Sequence, residues 1–312
     1  MKLAYFSSFP DYSSDNFNMS QYINTYLTSN VIISAASSDV YYAPHKSTLT
    51  IKSVFSGEEY YSTKECRYKV KPDNYLILNA GNEYESRIES DSKVHSFSVF
   101  FNPEFVKEAY SSLTNSEEKL LTSEKSNTSS PRFIQKLYAK DFFIQRALSE
   151  IKNLSENFNE NKFEVEEKLS GLISRIFFTQ ENIHREIEKI SAAKKSTKLE
   201  LYKKLHLIKD YIESCCNEKI SLNDLAKISC MCEHYMLREF KKYFRVTPHQ
   251  YLTNVRLEAA KNMLIHSNKN ISEISTSLSF VHQSSFTQLF IQKYKISPLK
   301  FRNLHSEKVN FK

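Results

Sequence analysis

The sequence predicts an α+β chain of two domains, a small amino-terminal β-barrel followed by helices and an all-α carboxyl-terminal domain. Three observations carry that reading. Short β-branched and aromatic runs punctuated by turn formers fill the first hundred residues. Helical periodicity dominates the remaining two thirds, and an internal repeat of about fifty residues is confined to the last third. A chain of 312 residues exceeds one ordinary core and fits two of common size. At 40% hydrophobic and 25% charged residues, the composition is that of a folded protein, not a disordered one.

Strands are expected at Val31 to Ala35, Thr48 to Phe55, Arg67 to Val70, Tyr75 to Asn79, Tyr84 to Glu89 and Val94 to Phe101. Lys71-Pro72-Asp73-Asn74 and Asn79-Ala80-Gly81-Asn82 are the strongest turn signals between them. Many short strands at regular spacing suggest a barrel or sandwich. Its aromatic walls, near Tyr60, Tyr61, Tyr68, Tyr75 and Tyr84, are where an effector would fit, although such rings are more often packing.

After Asn102 the period changes. Pro103 to Leu113 reads as a helix, and Leu113 to Pro131 as an exposed loop. Helices are then expected from about Arg132 to Asn157 and from Phe163 to Ile190. The second places Leu169, Leu172, Ile173, Ile176 and Phe177 on one face, either packed within its own domain or serving as the dimerisation seam of a homodimer. Residues 191–198 have no apolar periodicity and read as a linker. The domains are therefore expected at 1–190 and 199–312.

Charge is unevenly placed. From Leu199 onward there are 18 Lys and Arg against 10 Asp and Glu, whereas the preceding 198 residues hold 25 against 26. A basic excess of this kind is the footprint of a phosphate-binding surface, or of a solvated one. No apolar run is long enough for a signal-peptide core or a membrane span, so a cytoplasmic location without membrane association is expected. The five cysteines then read as reduced thiols. Gly171 is the last of three glycines, so every later turn is made without one.

The repeat aligns Tyr235 to Tyr251 on Ser285 to Phe301 without gaps. Phe240 falls on Phe290 and Pro248 on Pro298, with Phe244 over Tyr294, Thr247 over Ser297 and Tyr251 over Phe301. Upstream, at a spacing of forty-nine, Ser221-Leu-Asn-Asp224 lies over Asn270-Ile-Ser-Glu273. Each copy has a capping residue with an acid three positions on, a short helix and a turn. A second helix comes next, Glu233 to Phe244 or Gln283 to Tyr294. A long helix from Pro248 to about His266, with Tyr251, Leu252, Val255, Ala259 and Met263 on its buried side, joins the copies. Two helices joined by a tight turn make the helix-turn-helix unit that places its second helix in a major groove. Nineteen residues at 1.5 Å each space the units by roughly 28 Å, close to one turn of DNA.

These residues resemble the AraC/XylS family of transcription regulators over about Leu205 to Asn303. The resemblance rests on Leu-Ala at 225–226, Tyr-Met-Leu-Arg-Glu-Phe-Lys at 235–241, Phe280, Ser-Phe-Thr-Gln-Leu-Phe at 285–290 and Ser-Pro at 297–298. It implies a DNA-binding domain of two units behind a cupin-like effector or dimerisation domain, with double-stranded DNA and RNA polymerase as partners and a small-molecule effector left open. Position by position it implies base contacts from Glu233, His234, Leu237 and Arg238 in the first unit. In the second it implies His282, Gln283, Ser284, Thr287 and Gln288. Arg238 leads because a guanidinium can bond guanine O6 and N7 together. Lys241, Lys242, Arg245, Lys293 and Lys295 either touch phosphates or solvate the surface. Cys230 and Ser279 stand where a turn glycine is common, and Gln288 and Ile291 replace a frequent Arg and Lys, which weakens the second unit.

Competing chemistry has little support. Cys215, Cys216, Cys230, Cys232 and His234 lie close in sequence, but Cys230 and Cys232 sit at turn and cap positions, not in paired zinc-ligand turns, and His45 and His95 are the only histidines of the barrel region. No phosphate loop, nucleophile elbow or metal-binding His-Glu helix occurs. No catalytic residue, metal or cofactor is therefore expected. The function read is a sequence-specific transcription regulator, taken as an activator. The alternative is a ligand-binding module acting through protein partners.

Overall fold

The computed structural model describes residues 2–11, 18–114, 131–191 and 194–309. It divides into two compact units, Met1–Lys203 and Lys204–Lys312. The expected loop between Leu113 and Pro131 lies almost wholly outside the described residues.

The first unit is built on one mixed sheet. Its strands are β1 (Leu3–Phe6), β2 (Asn30–Lys46), β3 (Leu49–Ser56), β4 (Glu59–Ser62), β5 (Arg67–Val70), β6 (Asn74–Leu78), β7 (Glu83–Phe101) and β8 (Leu137–Ala139). They run in the order β1-β2-β7-β3-β6-β8, with β4 branching onto β7 and carrying β5. The expected closed barrel is thus corrected to an open sheet: among the described residues no ladder joins β1 to β8. Strand patterning is local, whereas closure depends on length and shear. Here two strands of 17 and 19 residues run antiparallel along each other. The separate runs expected at Tyr84 to Glu89 and Val94 to Phe101 are one strand, with the polar stretch 90–93 bulging between Glu89↔Asp39 and Val94↔Ser37. β3 takes the His95-to-Phe101 end of β7 and β4 takes the Glu85-to-Arg87 end, which splits the sheet.

Helix α1 (Met19–Thr28) is the crossover that the parallel β1–β2 pair requires. Its Tyr22 and Tyr26 pack with Val31, Ile33 and Phe100 of the sheet. Helix α2 (Pro103–Thr114) starts where expected, because the Asn102 carbonyl oxygen Oδ1 accepts from the backbone N–H groups of Glu104 and Phe105. The helix expected from Arg132 starts later, as α3 (Phe142–Ser155). Asn79 holds Phe133 extended through two hydrogen bonds of 2.9 and 2.8 Å, and β8 comes next, so helix begins only at the Asp141 cap. Helix α4 (Lys162–Glu188) packs on α3 and α2.

Leu169, Leu172, Ile173 and Ile176 are fully buried within the chain, and Phe177 stacks on Phe133. The dimerisation reading of that stripe is therefore corrected: this face is consumed by the unit's own core and is not free to meet a second copy. The expected linker is likewise helical from Lys195, the start of α5 (Lys195–Ser214).

The second unit comprises α6 (Leu222–Ser229), α7 (Glu233–Phe244), α8 (Pro248–His266), α9 (Ile271–Ser277), α10 (Gln283–Tyr294) and α11 (Pro298–Val309), together with the end of α5. The long helix α8 buries Leu252, Leu257, Ala260 and Leu264. Tyr251, Val255, Ala259 and Met263, expected on its buried side, are only half-buried. The reason is that α8 serves two cores. Tyr251 contacts Phe240 and Phe244 of the first hairpin, while Leu257, Ala260 and Leu264 join Ile274, Phe286 and Phe290 of the second. Its apolar residues therefore do not form one stripe. Among the described residues no helix is long and apolar enough to cross a membrane.

Candidate nucleic-acid interface

Each hairpin starts from a reciprocal cap. Ser221 N–H donates to Asp224 Oδ2 at 2.9 Å while Asp224 N–H donates to Ser221 Oγ at 3.2 Å. Asn270 and Glu273 repeat the exchange at 2.7 and 2.9 Å, and Thr247 and Gln250 do the same at the head of α8. Such caps satisfy backbone donors that the first turn leaves open. Ser221→Ala should lower unfolding stability by about 1 kcal/mol, and Asn270→Ala by a similar amount, as read by urea denaturation. The hydrogen bonds from Ser221 also hold the Asp224 carboxyl below its ordinary value. The first cap is therefore complete above the usual Asp range and is lost as pH falls through the depressed value.

The turns are made without glycine, as the composition requires. Cys230 and Ser279 take φ of 49° and 54°, and Arg245 and Lys295, which end the second helices, take 66° and 65°. Cys230 N–H returns to the carbonyls of Ala226 and Lys227, closing α6 in a left-handed cap.

The sequence repeat is also a repeat of geometry. Phe240 and Phe244 have ring centroids 4.5 Å apart at 45°, and their counterparts Phe290 and Tyr294 are 4.5 Å apart at 50°. Phe240–Tyr251 and Phe290–Phe301 sit at 5.9 Å, 75° and 5.7 Å, 76°. Phe244–Tyr251 and Tyr294–Phe301 complete two matching aromatic triangles. Met236, Phe240, Phe286 and Phe290 are fully buried, so one face of α7 and of α10 is locked inward and the opposite face is left to solvent.

One residue ties the two hairpins together. Arg256, on α8, donates from Nε to the Cys216 carbonyl at 2.8 Å and from Nη2 to the Glu218 carbonyl at 2.7 Å, both in the loop that leads into the first hairpin. Its Nη1 donates to the carbonyl of Ser279, in the turn of the second hairpin, at 3.2 Å. Ser279 Oγ also donates to the Asn217 carbonyl at 2.7 Å. The turn of the second hairpin is thus pinned to the entrance of the first. No sequence motif singled out Arg256.

The comparisons with known proteins converge on this unit. A family model described as a helix-turn-helix domain matches residues 225–304. The probable transcriptional regulator LumQ of Photobacterium leiognathi is 33% identical over 96 residues, covering 31% of this chain and 39% of that protein. The bifunctional transcriptional activator/DNA repair enzyme AdaA of Bacillus subtilis (strain 168) is 36% identical over 98 residues, covering 31% of this chain and 46% of that protein. The second unit is the helix-turn-helix domain that the family model describes, and it is similar to those of the transcription regulators named here. The chain spans less than half the length of these curated relatives. A crystal structure of a Chromobacterium violaceum transcriptional regulator, described as containing an AraC-type DNA-binding domain, is 22% identical. It covers 36% of this chain and 96% of that one, with a TM-score of 0.31.

On the helix-turn-helix domain, Glu233, His234 and Arg238 are exposed on α7, and Leu237 is half-buried beside them. Arg238 is 68% exposed in its side chain, donates from Nε to Glu239 at 2.9 Å, and lies 5.0 Å from the centre of the Tyr235 ring. This arrangement restrains the guanidinium while leaving most of the side chain exposed. His282 caps α10, with Gln283, Ser284 and Gln288 exposed along it and Thr287 half-buried. Lys241, Lys242, Arg245 and Lys295 are exposed. Lys293 is engaged, ion-paired to Glu258 at 2.9 Å and donating to the Asn254 carbonyl. Val281, 86% exposed in the turn before α10, and Tyr235 also belong to the outer surface and were not singled out from sequence. Cys230 and Cys232 are exposed, and among the described residues no three His, Cys, Asp or Glu side chains gather as metal ligands.

Proposed function

We propose that the chain is a sequence-specific transcription regulator that lays α7 and α10 into successive major grooves of one duplex. The observation that supports this most is the geometric identity of the two hairpins, each with its second helix buried by aromatic residues on one side and polar on the other. The basic excess of this unit supplies the sequence-independent attraction. Arg238, Gln283 and Gln288 are the base readers in this proposal, with Glu233, His234, Leu237, His282, Ser284 and Thr287 alongside. Lys241, Lys242, Arg245 and Lys295 meet phosphates. The first unit is the sensing part, and the regulator acts as an activator that engages RNA polymerase.

Gel shifts of the full chain on fragments from genomic mapping of its bound sites test the proposal. Affinity should fall steeply as salt rises, with a slope of roughly −0.9 per phosphate neutralised. Binding that is absent, or indifferent to salt, would reject it in favour of action through protein partners. Arg238→Ala should weaken specific binding by about 1–3 kcal/mol, roughly 5- to 150-fold, and relax discrimination at one base position. Lys241→Ala should weaken all sequences alike and reduce the salt slope by about one.

A further inference from the structure

The first unit encloses a cavity of about 370 Å³ between α1 and the sheet, at the small end of the range that holds organic ligands. Its outer wall is apolar, formed by Phe9, Tyr22, Tyr26, Leu27 and Phe100. Of the five tyrosines that the sequence offered as aromatic walls, Tyr84 alone lines it. The floor differs in kind. Lys52, on β3, is 6% exposed and Glu59, on β4, is 3% exposed, and both line the cavity.

No carboxylate oxygen among the described residues lies within ion-pairing distance of Lys52; its Nζ instead faces the rings of Phe100, Tyr84 and Tyr61 at 4.3, 5.1 and 5.3 Å. Thr48 Oγ1, Glu59 Oε2 and Tyr84 Oη are buried on the same floor without a hydrogen-bond partner. Unpartnered buried polar atoms and a buried ammonium outside a close ion pair are each destabilising, and an apolar side chain of similar volume would hold the fold better. Burial lowers the Lys52 ammonium to about 8, which still leaves it charged at neutral pH. Burial also raises the Glu59 carboxyl, with the nearby Lys52 charge opposing that shift. The floor therefore brings an ammonium, a carboxyl and two hydroxyls together from β3, β4, β7 and the β2–β3 turn.

We infer that this cavity binds a small organic carboxylate, its head group seated on Lys52, Thr48 and Tyr84 and its apolar body lying along Tyr22, Tyr26, Leu27 and Phe100. The inference deepens the sensing role proposed for the first unit. Its test is read without DNA, so failure of DNA recognition and failure of ligand binding are told apart.

Titration calorimetry on the full chain should compare 3-phenylpropionate and octanoate with the neutral 3-phenylpropan-1-ol and 1-octanol. Each acid should bind at least about tenfold more tightly than its alcohol. Lys52→Met should remove that preference while leaving the thermal midpoint equal or higher, since it removes a buried charge. Leu27→Trp, at the exposed mouth, should weaken acids and alcohols alike, and it tests the site even where the buried substitution fails to fold. Equal binding of acids and alcohols, no binding of either acid at millimolar concentration, or a folded Lys52→Met that keeps the acid preference would each overturn the inference.

Discussion

Arg256→Ala is expected to uncouple the two hairpins without unfolding either. The substitution removes three hydrogen bonds from one guanidinium to the carbonyls of Cys216, Glu218 and Ser279, leaving the backbone acceptors to water. Arg256 is half-buried, so solvent compensates part of the loss, and stability should drop by about 1–3 kcal/mol. The larger effect is on DNA. A duplex carrying both half-sites should lose about tenfold or more in affinity, whereas a fragment with the first half-site alone should bind unchanged. Inserting one base pair between half-sites should penalise the wild type severely and the variant little, because the variant can re-space its units. Arg256→Lys, with one compact donor group in place of the planar fork, should fall between. Competition gel shifts with spacing variants measure this, and an unaltered spacing preference in Arg256→Ala would show that α8 alone sets the distance.

Phe290→Ala should be the most disruptive single change in the second hairpin. Phe290 is completely buried and touches the rings of Phe286, Tyr294 and Phe301, in a core shared with Leu257, Ala260 and Ile274. Removing it deletes the hub of an aromatic triangle and leaves a cavity that the α8 backbone cannot close, which costs about 3–5 kcal/mol. Denaturant unfolding followed by far-ultraviolet circular dichroism reads the loss, and footprinting should show protection shrinking to the first half-site. Phe240→Ala offers the matched control, with protection retained on the other side.

What the sequence disclosed depended on how local the cause was. The caps at Ser221 and Asn270 were legible because the interacting groups are three residues apart. The repeated aromatic positions were legible because duplication prints the same residue types twice, whereas their triangular contacts came with the structure. Arg256 was not, since its acceptors are backbone carbonyls 23 to 40 residues away and any residue type supplies a carbonyl. The stripe from Leu169 to Ile176 announced a buried face without saying what buries it. The open sheet was missed for a similar reason: alternation within β2 and β7 says nothing about which edges meet. Lys52 was not singled out, because its burial depends on the wall that α1 and β4 place around it.

The four corners at Cys230, Arg245, Ser279 and Lys295 have one more implication. A side chain at positive φ is disfavoured by on the order of 1 kcal/mol relative to glycine, yet it also narrows the angles through which the backbone can swivel. Corners built this way give stiff modules that accommodate poorly to a misaligned target. Where such modules meet a straight duplex that does not match their pitch, the distortion falls on the duplex, and flexible pyrimidine–purine steps between half-sites then become part of what is recognised.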